Sequence, residues 1–199
     1  MKESRERVQR DSRTVTNIIA RLNINTRKFA MNISMYNASV AVMIRMLGNL
    51  EAILGKAIAH AAARKIDDAA FVEARLFPDM FSFARQIRVA TDVAKGAGAR
   101  LAGIDIPKFD DNEKTLPELK ARIRKAIDFL KKLTPAQIDG SADRPITLTV
   151  AGNTLNFKGV DYLLHWALPN FYFHVVTAYN LLRHNGVEIG KMDFVGKVQ

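Results

Sequence analysis

From Ser34 onward the apolar residues Val40, Met43, Ile44, Leu47, Leu50, Leu54 and Ile58 recur at three- and four-residue steps. That spacing lays them along one side of a helix of 3.6 residues per turn, whereas a strand would scatter them over both faces. A first long helix is therefore expected to run to about Arg64, where Lys65-Ile66-Asp67 breaks the pattern. A short helical turn is expected over 67–76. A second long helix is expected over 78–102, with Pro78 in its first turn, where a missing N–H costs nothing. Its charges Arg85, Arg88, Asp92, Lys95 and Arg100 share one face, and Phe83, Ile87, Ala90, Ala94, Gly98 and Leu101 share the other. The alanines and the glycine would admit a neighbouring helix closely.

Residues 103–114 combine glycine, proline and an acidic run, the mark of a connection. Thr115-Leu116-Pro117-Glu118 then has the Thr-x-x-Glu spacing of a capping box, which opens a third helix. Leu119, Ile123, Ala126, Ile127, Leu130 and Leu133 would face inward there and the Lys/Arg residues outward, with Pro135 as the stop. Residues 146–157 alternate β-formers around Ala151-Gly152-Asn153, a hairpin signal. A fourth long helix should begin near Val160 and close at Asn185-Gly186, where glycine can take the left-handed position. The expected fold is all-α: a four-helix bundle with a small β-hairpin before the last helix.

The 199 residues suffice for one sizeable core. No apolar run approaches the ~18 residues of a membrane span, and a cytoplasmic protein is the expectation. With no cysteine, thiolate chemistry and cysteine-ligated metals are excluded. The formal net charge is +10, and residues 1–30 alone carry eight Lys/Arg against three acids. These residues read as a basic N-terminal extension, partly helical at most, ahead of a bundle domain over 31–195. Elsewhere the charges are interspersed without aromatic-basic interleaving, so nucleic-acid binding is expected only through 1–30.

On the fourth helix Asn170, His174 and Thr177 stand at i, i+4 and i+7 within the stripe formed by Leu163, Ala167, Phe171, Ala178 and Leu181. A polar line on a core-facing stripe must find partners, and bundle interiors are where such folds place ligand sites. His165 falls on the opposite side of the wheel with Tyr172, though a kink at Pro169 would turn it toward the same cavity. His60 reads as solvent-exposed. His184, in the last turn of its helix, suits the helix dipole. No H-E-x-x-H, phosphate-cradling glycine loop or G-x-S-x-G occurs.

The blocks SMYNASVAVMIRMLGNLEAIL (34–54), ARLFPDMFSFARQIRVATDVAKGAGARLAG (74–103) and DYLLHWALPNFYFHVVTAYNLLRHNGVEIGKMDF (161–194) resemble a family of small helical proteins catalogued as a domain of unknown function. That family is similar to the DinB/YfiT-like superfamily of metal-dependent bundles. The resemblance covers about 31–195 and implies an up-down-down-up bundle, often dimeric. It also implies a divalent metal held by three histidines, one from the second helix and an H-x-x-x-H pair from the last. By position these ligands fall near Gln86 and on Asn170 and His174, of which only His174 is a histidine. Amides are weak ligands for a transition metal. The expectation is thus a pocket of Gln86, Asn170, His174 and Thr177, rimmed by His165 and Tyr172, that binds a small molecule without a tight metal. Two alternatives follow: a hydrolase or transferase with His174 as base or as the single strong ligand, and a homodimer built on Trp166, Phe173 and Tyr179.

Overall fold

A computed structural model of the chain describes residues 33–197, so the basic extension assigned to 1–30 lies outside the described residues. Helix α1 begins as a π-helical turn, Asn37–Ala41, that continues directly into Val42–Arg64. Ser34 starts it, its hydroxyl accepting from the Asn37 N–H at 3.1 Å. The stripe Val40, Met43, Leu47, Leu50 and Leu54 is wholly buried, while Ile44 and Ile58 sit half-buried at its margins. Taken from Asn37 to Arg64, α1 is long and apolar enough to cross a membrane by length and composition, although polar residues such as Arg45, Asn49 and Glu51 interrupt its apolar run. Its apolar side is instead consumed by the bundle core, with Arg45 and Lys56 exposed opposite.

The short helix α2 (Asp68–Val72) is capped by Asp67, whose carboxylate accepts from the Ala69 N–H at 2.8 Å. Helix α3 spans Phe83–Ala102 and starts five residues later than expected. Pro78 occupies the second position of a turn closed by the Met80 N–H on the Phe77 carbonyl at 3.0 Å. That position accepts the fixed φ of proline as readily as a helix start does, and the turn prevails. Helix α3 closes on Gly103 at φ +69°. A Cβ at Gly98 would stand 2.7 Å from the methyls of Leu130 and Leu133, which shows how closely the next helix approaches.

Helix α4 (Leu116–Leu130) carries the expected capping box: Thr115 Oγ1 accepts from the Glu118 N–H at 3.3 Å, and Glu118 accepts from the Thr115 N–H at 3.0 Å. The Asp68 carboxylate of α2 also accepts from the Leu116 N–H at 2.9 Å. Pro135 does not terminate α4 but opens a further short helix, α5 (Pro135–Ile138). Strands β1 (Pro145–Val150) and β2 (Asn153–Lys158) pair antiparallel, with Ile146 opposite Phe157 and Leu148 opposite Leu155. Their two-residue turn has Ala151 at φ 48° and Gly152 at φ 82°, the doubly left-handed geometry that suits strand twist.

Helix α6 runs as Gly159–Asp161, a π-helical stretch Tyr162–Ala167, and Leu168–His184 without interruption. The wide π-helical stretch precedes Pro169, which has no N–H to give and whose ring crowds the preceding turn. Gly186 at φ +87° follows the end of α6. Helix α7 (Lys191–Val195) then returns to α1, where Asn49 Nδ2 donates to the Phe194 carbonyl at 2.9 Å and Lys56 pairs with Asp193 at 2.6 Å. The long helices neighbour one another in the ring order α1, α4, α3, α6. The α1–α4 edge therefore lies across the bundle from the α3–α6 edge.

Candidate functional site

At the α3–α6 edge two buried polar side chains meet. Gln86 is 1% exposed and His174 is 7% exposed. His174 Nδ1 lies 2.7 Å from Gln86 Oε1, and Gln86 Nε2 donates to the main-chain carbonyl of Phe81 at 3.2 Å. That last bond fixes which way the amide points: its NH2 must face a carbonyl, so its oxygen faces the imidazole. Nδ1 is therefore the nitrogen that carries the proton in the neutral ring, and Nε2 holds the lone pair. Among the described residues Nε2 has no hydrogen-bond partner. Burial pushes the His174 pKa below its usual value, so the ring is neutral at pH 7.

Two phenyl rings flank the imidazole. Phe81 lies parallel to it with centroids 6.3 Å apart, and Phe173 meets it edge-on at 5.2 Å. Both phenylalanines are exposed, as is Val176 one turn beyond Phe173. The guanidinium of Arg85 covers the Phe81 ring at 3.8 Å.

Of the residues expected around the site, the structure joins Gln86 and His174 only. Thr177 is buried, but its hydroxyl donates back to the Phe173 carbonyl at 2.6 Å, a local helix bond. Asn170 is half-buried and makes no side-chain hydrogen bond among the described residues. Tyr172 is half-buried beside Phe171, and burial raises its pKa. His165 is exposed: α6 continues through Pro169, so no kink turns it toward His174. His60 is not free in solvent as the sequence suggested but half-buried, edge-on to Phe71 at 6.1 Å. His184 is exposed. Of the outward aromatics on α6, Trp166 packs on Phe157 and Tyr179 on Phe194, which leaves Phe173 uncovered.

The three positions implied for a metal offer two amides and one imidazole, with the imidazole and one amide bonded to each other. Among the described residues no group of three or more His, Cys, Asp or Glu side chains could hold a metal ion. This donor set does not fit a divalent transition metal.

The sequence reading placed the cations of α4 outward, and Arg122 departs from it. Arg122 is 4% exposed. Its Nε donates to Thr91 Oγ1 at 2.8 Å, and its terminal nitrogens reach the Asp110 carbonyl at 2.7 Å, Glu113 at 2.8 Å and Asp92 at 2.9 Å. Arg88 binds the same Glu113 at 2.8 Å, and buried Lys95 pairs with Asp92 at 2.7 Å. Burial alone would raise the Glu113 pKa, but the hydrogen bonds from Arg122 and Arg88 outweigh it and hold the carboxyl low. The cluster pins the 103–115 connection against α3 and α4. Its only signal in the sequence was the acidic run in that connection, which named no partner.

The described residues thus form a DinB-like helical bundle with a hairpin before the last long helix. The family model described as "Domain of unknown function (DUF1993)" matches residues 35–195, and the chain belongs to that family. Among solved structures it is similar to a crystal structure described as a DinB family member protein from Shewanella denitrificans. The two are 39% identical, the match covers 82% of this chain and 92% of that one, and the TM-score is 0.74. No functionally curated protein matches the chain.

Proposed function

We propose that the Gln86–His174 pair is the centre of a small-molecule site that works without a tightly held metal. The carrying observation is the relay from the Phe81 carbonyl through the Gln86 amide to His174 Nδ1, which presents the Nε2 lone pair of a neutral imidazole. A lone pair on an imidazole flanked by two phenyl rings favours a ligand with an apolar or aromatic body and one O–H or N–H donor. An enzymatic reading rests on the same feature: Nε2 in this tautomer can take a proton from a bound hydroxyl, as a general base must.

The test uses p-cresol and toluene as probes on protein labelled with 15N at histidine. The hydroxyl-bearing probe should shift the His174 Nε2 resonance while toluene leaves it in place. Equal responses to both, or none to either, would remove the site. For the enzymatic reading, a His174→Gln variant that folds normally should lose whatever turnover the parent shows; retained turnover would exclude His174 as base.

A second reading is favoured by the exposure of Phe173 at 57% and Val176 at 39% on one side of α6. Exposed apolar residues grouped on a helix face suit a second copy of the chain, and a homodimer across α6 would bury them. Phe173→Ser should then convert a dimer to a monomer in sedimentation velocity, and an unchanged sedimentation coefficient would reject this interface.

A further inference from the structure

Across the bundle from His174, the outer side of α4 forms one wall of an open groove of about 650 Å³. Its apolar surface comes from three elements: Ile58 of α1, Phe129 of α4, and Phe109 of the 103–115 connection. All three side chains are half-buried and together leave an apolar floor. Lys120, Lys125 and Lys132 line the same groove. Lys120 and Lys125 stand on α4 and Lys132 in the turn just beyond its end. From Lys120 to Leu130 alone the helix rises about 15 Å, so the positive charges are spread along the groove and not gathered at one end.

The charge is unbalanced. Arg124 is paired with Glu51, and Asp128 is the one acid on the lining. Lys120, Lys125 and Lys132 make no ion pair among the described residues. The connection that carries Phe109 is held by charged side chains: buried Arg122 binds the Asp110 carbonyl and Glu113, and buried Lys95 and exposed Lys125 stand over the Phe109 ring at 4.3 and 4.4 Å. A wall fixed in this way keeps the groove open before any ligand arrives, which lowers the ordering cost of binding.

We infer that this groove binds a small organic anion with an apolar body, a carboxylate or phosphate ester whose hydrocarbon lies on Ile58, Phe109 and Phe129 and whose charge meets the lysines. Volumes of this size hold single small molecules. A nucleic-acid backbone would use the lysines but leave the apolar floor without a role.

The probe is 1-anilinonaphthalene-8-sulfonate, an aromatic anion whose fluorescence rises in apolar surroundings. It should saturate one site on the full chain, weaken in about 0.5 M salt, and be displaced by dodecanoate or dodecyl phosphate. Which of those two competes better distinguishes a carboxylate from a phosphate ligand. Inorganic phosphate and dodecanol, each lacking one half of the chemistry, should not displace it. The Lys120→Glu/Lys125→Glu/Lys132→Glu variant should lose about tenfold or more in probe affinity. Lys132→Glu alone, at the exposed end of the groove, should show a smaller loss in the same direction and serves if the triple variant does not fold. Phe173→Ser, which alters the exposed phenyl beside His174, should leave binding unchanged. Unaltered affinity in the lysine variants, loss in Phe173→Ser, or displacement by a thymidine oligonucleotide but not by dodecanoate would each overturn the inference.

Discussion

Gln86 joins a main-chain carbonyl on one side to an imidazole on the other, and both would be left unmatched without it. Gln86→Ala should therefore lower stability by about 1–3 kcal/mol, the range for buried polar groups deprived of a partner, as measured by urea denaturation. Gln86→Glu should instead place a carboxylate beside Nδ1 and raise the His174 pKa, visible in an NMR titration of the ring. The parent protein carries a pH dependence of definite sign. His174 titrates lower in the folded chain than in the unfolded one, so between the two values the unfolded state binds more protons. Its share of stability is complete above the ordinary histidine value, near ~6.5. It is lost as pH falls below that value toward the folded pKa. His174→Gln should flatten this part of the stability curve between neutrality and mild acid; an unchanged slope would show that another group carries it.

At the scale of elements, the bundle helices and the hairpin were legible because each depends on neighbours close in sequence. The capping box at Thr115–Glu118, the apolar steps of α1 and the glycine beyond α6 all act within one or two turns of the chain. What escaped was set by distant partners or by competing local uses. Arg122 reads as a surface cation until Thr91, Asp92 and the 110–113 segment are brought to it. Pro78 fits a helix start and a turn equally well, and its neighbours choose the turn. Of the candidate site, the inward direction of His174 could be read from its helix and Gln86 entered through the family resemblance, but not that they bind each other and leave Asn170 aside. Two predictions belong here. Arg122→Ala removes the bonds to Thr91 and the Asp110 carbonyl, while Glu113 keeps Arg88 and Asp92 keeps Lys95; it should cost about 1–3 kcal/mol, with faster amide exchange concentrated in residues 103–115. Gly159 opens α6 with its α-carbon against the Ser141 carbonyl, where a Cβ would stand 2.0 Å from that oxygen. Gly159→Ala must move main chain, and a loss of at least about 1–3 kcal/mol is expected by thermal or chemical denaturation.

For the whole molecule, cohesion comes from a core contributed by every long helix, with Leu50, Phe83, Leu119 and Phe171 all fully buried. Among the described residues no cluster of metal-ligating side chains joins that core, so prolonged dialysis against a chelator should leave the melting temperature where it was, and elemental analysis should find substoichiometric transition metal. A stoichiometric zinc, nickel or iron signal together with a chelator-sensitive melt would require ligands beyond those assigned here. The carbonyl that sets the direction of the Gln86 amide belongs to the peptide backbone of Phe81, and this has an evolutionary corollary. No exchange of the side chain at that position can delete it, so a change of the Phe81 ring would alter the apolar lining beside the imidazole and still leave the proton on the same nitrogen. Sensitivity passes to the tight bend just before it: a change at Pro78 that displaced the backbone by an ångström would let the amide rotate, and chemistry at a histidine on a different helix would then be governed by a residue that never touches it.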